Sequence, residues 1–199
     1  MGIDVLSLVS HFDKAGDRET STAVFRTRVQ WVGPSAYLHV VFKAASADLL
    51  SHAAAKLKMP ISCVDFLRTQ NGAVLFSGAL SIYGIHSRGQ LLNRQDPDFA
   101  LPFNIEDENQ NWPPPDRALY LSIGGYSFDG SRVCINRHDG KVYLFEREIQ
   151  TLLRSPSHSW ESLDQWITSE VIRLTALFDC RGKRLVDESQ TLPVVGPPS

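Results

Sequence analysis

The sequence lacks the features that mark several large classes of protein. Among its 199 residues only three are cysteines, Cys63, Cys134 and Cys180, an odd number without a C-x-x-C pair. This pattern argues against a disulfide scaffold and against a zinc knuckle. The six histidines form no H-E-x-x-H motif, so we expect no metal site. We interpret the three cysteines as reduced, buried thiols.

Long apolar runs are missing too. No stretch approaches the roughly 18 consecutive apolar residues that a membrane-spanning helix needs. The first residues do not resemble a secretion signal, because Asp4 stands where such signals carry Lys or Arg, and Ser7 and Ser10 interrupt the apolar stretch. We expect a cytoplasmic protein that does not associate with membranes.

The chain has no excess of charge of one sign. Twenty Lys and Arg residues against 22 Asp and Glu residues give a net charge of −2, so no overall field attracts the protein to nucleic acid or anionic lipid. The hydrophobic fraction of 43% and the charged fraction of 21% are typical of soluble globular domains. The length fits one such domain with extensions, and the sequence does not indicate its oligomeric state.

The first 45 residues are predicted to form a helix and a β-hairpin. Apolar residues recur at helical spacing over residues 4–14, with Gly16 as a stop. Alternation predicts a strand over 25–31 and a returning strand over 37–43, joined by turn residues at 33–35. A helix that begins near His39 and continues through the following alanines is an open alternative for the second strand.

The next segments predict two helices and then an antiparallel meander. A helical stripe over 47–58 ends before Pro60, which suits the start of a second helix that Asn71-Gly72 would close. Strands are then predicted at 75–76, 80–85, 118–123, 132–137 and 141–146, with turns at Gly124-Gly125, 129–131 and 138–140. Ser159 is predicted to cap a last helix that ends near Gly182. The fold class is therefore α+β, a mostly antiparallel sheet flanked by helices.

Residues 86–117 contain five prolines and no period, which predicts a long irregular loop with an acidic bias. Its acidic residues are Asp96, Asp98, Glu106, Asp107, Glu108 and Asp116. They could simply keep a loop solvated, or they could form a surface for a basic partner. Trp112 is open to the same two interpretations, as an interface contact or as an anchor of the loop on the sheet.

No catalytic constellation is recognisable in the sequence. The run 125–129 approaches a serine-hydrolase elbow but ends in Asp129 where a glycine belongs, so we interpret Ser127 as a turn residue. Cys63 lies on a predicted apolar helix, where a buried thiol is the ordinary role. An unrecognised hydrolase is only the third hypothesis for this chain.

The order of several short motifs resembles one known family. These motifs are Leu57-Lys58-Met59-Pro60 with Cys63-Val64-Asp65-Phe66-Leu67 and Asn71-Gly72, then Gly78-Ala79-Leu80-Ser81-Ile82-Tyr83-Gly84, Asn111-Trp112-Pro113, the run from Ile123-Gly124-Gly125 to Asp129-Gly130-Ser131, Val133-Cys134-Ile135, Gly140-Lys141-Val142-Tyr143, and Ser159-Trp160 with Leu163, Trp166 and Ile167. In this order they resemble the SUKH superfamily, named for a fungal cell-wall assembly regulator and its relatives.

The resemblance implies a SUKH-like single domain over 46–182, preceded by the extension 1–45 and followed by a proline-rich tail over 183–199. It also implies a protein-binding function without catalytic residues or cofactor, most concretely an immunity protein that neutralises a nuclease-type toxin. Asp96, Asp98, Glu106, Asp107, Glu108 and Trp112 would then be the contacts with a basic toxin domain. The alternative is a regulatory or adaptor protein with an endogenous partner, which would use the same surface or the N-terminal hairpin.

Overall fold

The computed structural model describes residues 3–87, 89–90, 100–147 and 155–193. In this part of the chain, one antiparallel sheet of nine strands follows a meander, so that each strand pairs with its neighbours in sequence. The strands are β1 (Arg18–Glu19), β2 (Ala23–Arg28), β3 (Tyr37–Lys43), β4 (Gln70–Leu75), β5 (Leu80–Ile82), β6 (Tyr120–Tyr126), β7 (Arg132–Asn136), β8 (Val142–Phe145) and β9 (His158–Trp160). The helices are α1 (Val5–Leu8), α2 (Ala47–Leu57), α3 (Ile61–Thr69), α4 (Ile105–Asn111) and α5 (Leu163–Thr175). The predicted α+β class with a mostly antiparallel sheet is confirmed.

Short turns explain why β6, β7 and β8 return on one another. The Asp129 side chain accepts a hydrogen bond from the Ser131 amide at 2.8 Å, and Gly130 adopts a φ of +72° that favours glycine. Gly140 adopts a φ of +74° in the next turn. Both predicted turns, at 129–131 and 138–140, are therefore confirmed, and Ser127 is the first residue of the connection between β6 and β7.

The predicted N-terminal hairpin is part of this same sheet. Strands β2 and β3 pair along their length, and β3 continues into pairing with β4. The alternative helix near His39 is therefore wrong. The first helix is shorter than predicted and covers only α1, where the Asp4 side chain accepts a hydrogen bond from the Leu6 amide at 3.0 Å.

The two predicted central helices are confirmed, but the expected role of Asn71-Gly72 is wrong. Helix α3 ends at Thr69 without a glycine cap, and β4 begins at Gln70. The Asn71 side chain donates to the Ile85 carbonyl and accepts from the Ile85 amide, each at 2.8 Å. A Cβ at Gly72 would lie 2.6 Å from the Ile82 carbonyl oxygen. This Asn-Gly pair therefore holds two strands at close approach.

Two further predictions are wrong for a similar reason. Gly124-Gly125 lies inside β6 and not in a turn. Glycine is required at position 124 because a Cβ there would meet the Ser81 carbonyl oxygen at 2.5 Å and the Trp166 ring at 2.6 Å. Ser159 lies in β9, and Ser162 caps the last helix by accepting from the Gln165 amide at 3.1 Å. That helix ends at Thr175, before the predicted Gly182.

One hydrophobic core joins the helices to the sheet. It takes residues from α1, α2, α3 and α5 as well as from the strands. The indole ring of Trp166 and the side chain of Ile167, both on α5, are fully buried in it. Of the three cysteines, Cys63 and Cys134 are buried as expected, whereas Cys180 is exposed.

The residues that follow α5 fold back onto the domain. Arg173 donates hydrogen bonds to the carbonyl oxygens of Gln190 at 3.3 Å and Thr191 at 2.7 Å. Thr191 is buried, and the end of the expected tail, 194–199, lies outside the described residues. The division into extension, SUKH-like domain and tail stays a prediction. None of the helices in the described ranges is long and apolar enough to cross a membrane.

Candidate functional site

Part of the acidic segment singled out in the sequence lies on helix α4. Asp96 and Asp98 fall outside the described residues. The other part of the expected irregular loop contains α4, whose first turn carries Glu106, Asp107 and Glu108. The Asn104 side chain caps this helix by accepting from the Glu106 amide at 2.8 Å. Acidic side chains in a first turn stabilise a helix through its dipole, which gives the acidic run a local structural role.

Two of these three carboxylates are also held in ion pairs. Glu106 pairs with Lys56 of α2. Glu108 pairs with Arg132 of β7 at 3.2 Å, and the two side chains are only 20% and 16% exposed. Asp107 is exposed and forms no ion pair with a described residue. Asp107 is therefore the free acidic group of this helix within the described chain.

Trp112 follows α4 directly and stays at the surface. Its side chain is 43% exposed. The Arg147 guanidinium stacks on the indole ring, 4.1 Å from the ring centroid. A Cβ at Gly130 would lie 3.2 Å from the Arg147 side chain, so the turn between β6 and β7 packs against this arginine. Trp112 is thus oriented by a cation–π contact and remains accessible to a partner.

A small cleft of about 160 Å³ lies against the sheet, and Glu108 of α4, one turn before Trp112, lines it. Its floor is a polar contact in which Arg132 donates to the Tyr83 hydroxyl. Burial raises the pKa of Tyr83 above its ordinary value, so the phenol stays protonated at neutral pH. A Cβ at Gly125 would lie 3.1 Å from the Tyr83 hydroxyl, so glycine gives the phenol room here. Phe103 forms one rim of the cleft, with its ring centroid 6.3 Å from that of Tyr83.

We refer to the combined feature as the aromatic surface. It consists of the exposed rings of Phe103, Trp112 and Phe128 together with Glu108, Arg132 and Arg147. Phe103 and Phe128 are 48% and 47% exposed. Aromatic and arginine side chains are the types enriched at protein interfaces and at their energetic hot spots. The surface therefore offers three apolar anchors on a framework that ion pairs and stacking hold in place.

Sequence reasoning identified only part of this surface. Glu108 and Trp112 were predicted contacts and lie in it, whereas Glu106 points to Lys56 instead. Phe103, Phe128 and Arg147 were missed, because three separate connections of the fold bring them together. The exposed position of Phe128 beside the Asp129-Gly130 turn was a local signal, because turn tips lie at the surface.

The two buried thiols are held in their protonated form. Burial raises the pKa of both Cys63 and Cys134 to about 12, so at neutral pH neither is a thiolate nucleophile. Among the described residues, no group of three or more His, Cys, Asp or Glu side chains could hold a metal ion. Comparison of the chain with protein-family models and with curated proteins found no match.

Proposed function

We propose that this chain is a non-enzymatic protein-binding domain that contacts its partner through the aromatic surface. The observation that carries the proposal is the set of three exposed rings on segments adjacent in sequence to the Glu108–Arg132 ion pair, whose side chains are largely shielded from solvent. Large rings lose few rotamers on binding and bury much apolar area, which is why such residues dominate binding energy. The Glu108–Arg132 pair would add polar contacts at no further ordering cost, because both groups are already fixed.

We further propose that the domain is SUKH-like and that its partner is a toxin, most concretely a nuclease that it neutralises. The support is the order of elements: the helix pair α2 and α3, the antiparallel strands, and the closing helix α5 occur in the order that the motif resemblance implied. The toxin as partner class rests on that resemblance alone.

The proposed charge of the partner differs from the one that the sequence predicted. A surface of five acidic contacts beside Trp112 would have selected a strongly basic partner. Glu106 and Glu108 are neutralised within the chain, and Arg147 adds a positive charge beside Trp112. The aromatic surface therefore suits a partner with an apolar patch and mixed charges, with Asp107 as the acidic contact that α4 leaves unpaired among the described residues.

The test begins with capture of the partner. The chain, immobilised as a bait, is exposed to extract of its own cell, and the captured protein is purified and assayed for nuclease activity with and without added chain. We expect stoichiometric inhibition, which Trp112→Ala weakens and the matched variant Trp31→Ala does not. Trp31 is a suitable control because it is an exposed tryptophan, 55% accessible, on the hairpin between β2 and β3. A captured partner without toxic activity would refute the toxin assignment, and equal loss in both variants would refute the surface.

A further inference from the structure

A second cleft lies on the other side of α4. It has a volume of about 410 Å³, within the range of about 300 to 1,000 Å³ that small-molecule sites occupy. Helix α4 contributes Glu106, Asn109 and Gln110 to its wall, whereas Glu108 and Trp112 of the same segment belong to the aromatic surface. The two clefts are therefore separate, and a ligand of the second cleft is independent of the proposed protein partner.

The wall of this cleft is rich in positive charge. Lys56, Arg117 and Arg137 line it, against the single carboxylate of Glu106. Glu106 pairs with Lys56, which leaves two arginines without a carboxylate partner among the described residues. Arg117 is exposed at the mouth of the cleft. The cleft is therefore locally positive in a chain whose net charge is −2.

Asp116 and Asp139 are two other carboxylates whose charges reach this region, but each accepts hydrogen bonds within its own turn. The charges of Asp116 and Asp139 both influence the Tyr120 hydroxyl. Asp116 accepts hydrogen bonds from the amides of the next residues of its turn, at 2.8 and 3.2 Å. Asp139 accepts from the Lys141 amide at 2.9 Å. Each carboxylate uses its Oδ1 in these bonds, and neither forms an ion pair with Arg117 or Arg137 in the described part of the chain.

Arg137 is held in a fixed orientation by the helix that ends beside it. One of its terminal nitrogens, Nη1, donates to the carbonyl oxygens of Leu57 and, at 3.0 Å, Lys58 at the end of α2. Both bonds use the same nitrogen, so the opposite edge of the guanidinium, Nε and Nη2, keeps its donors for a ligand. A planar fork of this kind matches the oxygens of a carboxylate or a phosphate.

The remaining wall is apolar and aromatic. The Tyr120 ring lies edge-on to the rings of Tyr143 and Phe145, with centroid distances of 5.6 and 5.2 Å. These contacts fix Tyr120, and Leu57 and Pro114 complete the apolar part of the lining. The Asn109 amide is used entirely within the fold, since it bonds to Ile105 and to Ser122. Gln110 and the Tyr120 hydroxyl are the further polar groups that the cleft offers.

We propose that this cleft binds a small organic anion, a carboxylate or phosphate monoester with a planar or apolar body. The oxyanion lies between Arg117 and the free edge of Arg137, and the body lies against Tyr120, Leu57 and Pro114. The shared chemistry is the oxyanion, and the choice of probes separates its two sources.

Isothermal titration with four probes tests the proposal: AMP and 4-hydroxybenzoate as anions, and adenosine and 4-hydroxybenzamide as their neutral counterparts. We expect at least one anion to bind more than tenfold tighter than its neutral counterpart, with affinity falling as salt rises from about 50 to about 500 mM. Binding of AMP but not of 4-hydroxybenzoate would identify a phosphate ligand, and the opposite result would identify a carboxylate ligand. No heat from either anion at about 5 mM would overturn the proposal, and so would inorganic phosphate that binds as tightly as AMP.

A matched pair of variants locates the site. Arg117→Gln should weaken binding of the anion about tenfold, because it removes one charged donor. Lys183→Gln removes an exposed cation that does not line the cleft and should leave affinity unchanged. Amide chemical shifts of the full chain should move at residues 56, 117, 120 and 137. Shifts confined to the aromatic surface, or equal affinity in the two variants, would overturn the assignment.

Discussion

His39 gives the fold a dependence on pH that can be worked out from its surroundings. The imidazole is fully buried on β3, with the rings of Phe12 and Phe76 at centroid distances of 4.9 and 4.7 Å. Its Nδ1 accepts a hydrogen bond from the Phe76 amide at 3.4 Å, and its Nε2 has no hydrogen-bond partner. Burial, followed by the charge of His11, lowers the pKa of His39 to about 3.

The sign and the size of the effect follow from this shift. The folded state holds His39 neutral, whereas the unfolded chain takes up a proton as the pH falls through about 6.5. Stability is therefore fully present above about pH 6.5 and is lost as the pH falls toward about 3. At about 1.4 kcal/mol for each unit of pKa, the loss is about 2 kcal/mol by pH 5.

Urea unfolding of the full chain at about pH 7 and about pH 5 measures this loss. We expect His39→Asn, which keeps an acceptor near the Phe76 amide, to be less stable at neutral pH but to lose about 2 kcal/mol less between the two pH values. His52→Asn is the matched control, because His52 is exposed on α2 and should leave the pH dependence unchanged. A His39→Asn variant with the wild-type pH dependence would refute the reasoning.

Substitutions at two other positions, Gly124 and Arg173, are predicted to lower the stability of the fold. Gly124→Ala should lower the free energy of unfolding in urea by several kcal/mol, because its Cβ would lie 2.5 Å from a neighbouring strand's carbonyl oxygen. Gly33→Ala, whose Cβ has its nearest contact at 3.8 Å, should leave that free energy nearly unchanged. Similar losses in the two variants would contradict the role given to Gly124. Arg173→Met should destabilise by about 3 to 5 kcal/mol, because it leaves the buried Glu170 carboxylate, 2.7 Å away, without its partner. Adding Glu170→Gln should recover part of that loss, and a cost below about 1 kcal/mol for Arg173→Met would contradict this account.

Local patterns predicted the elements whose signals are local. The apolar stripe before Pro60 and the Asp-Gly turns at 129–130 and 139–140 were enough to place α2, the start of α3 and the hairpins of β6 to β8. These features depend on backbone conformation and on period, and both can be seen in the sequence.

The errors arose where tertiary contacts decide. Gly124 resembles a turn residue, yet it is required because a strand and the Trp166 ring approach it closely. Helix α4 was predicted as loop because its only buried apolar residue is Ile105, and its acidic first turn resembled a solvated segment. A short helix that is stabilised by a cap and by ion pairs to α2 and β7 leaves no periodic signal.

The same reason limits prediction of the aromatic surface. Trp112 and Glu108 were found because they lie in the acidic segment. Phe103 precedes α4, Phe128 lies in a hairpin turn and Arg147 follows β8, so only the assembled sheet makes them neighbours.

The measurement that tests the central claim most directly is the dissociation constant of the purified partner for Trp112→Ala, compared with Trp31→Ala. The claim that Trp112 is an interface anchor predicts a loss of about 2 kcal/mol or more, which is about a 30-fold rise in Kd, for Trp112→Ala. Trp31→Ala should bind like the unchanged chain. A Kd for Trp112→Ala within about twofold of the unchanged chain would contradict the claim that this protein binds its partner through the aromatic surface.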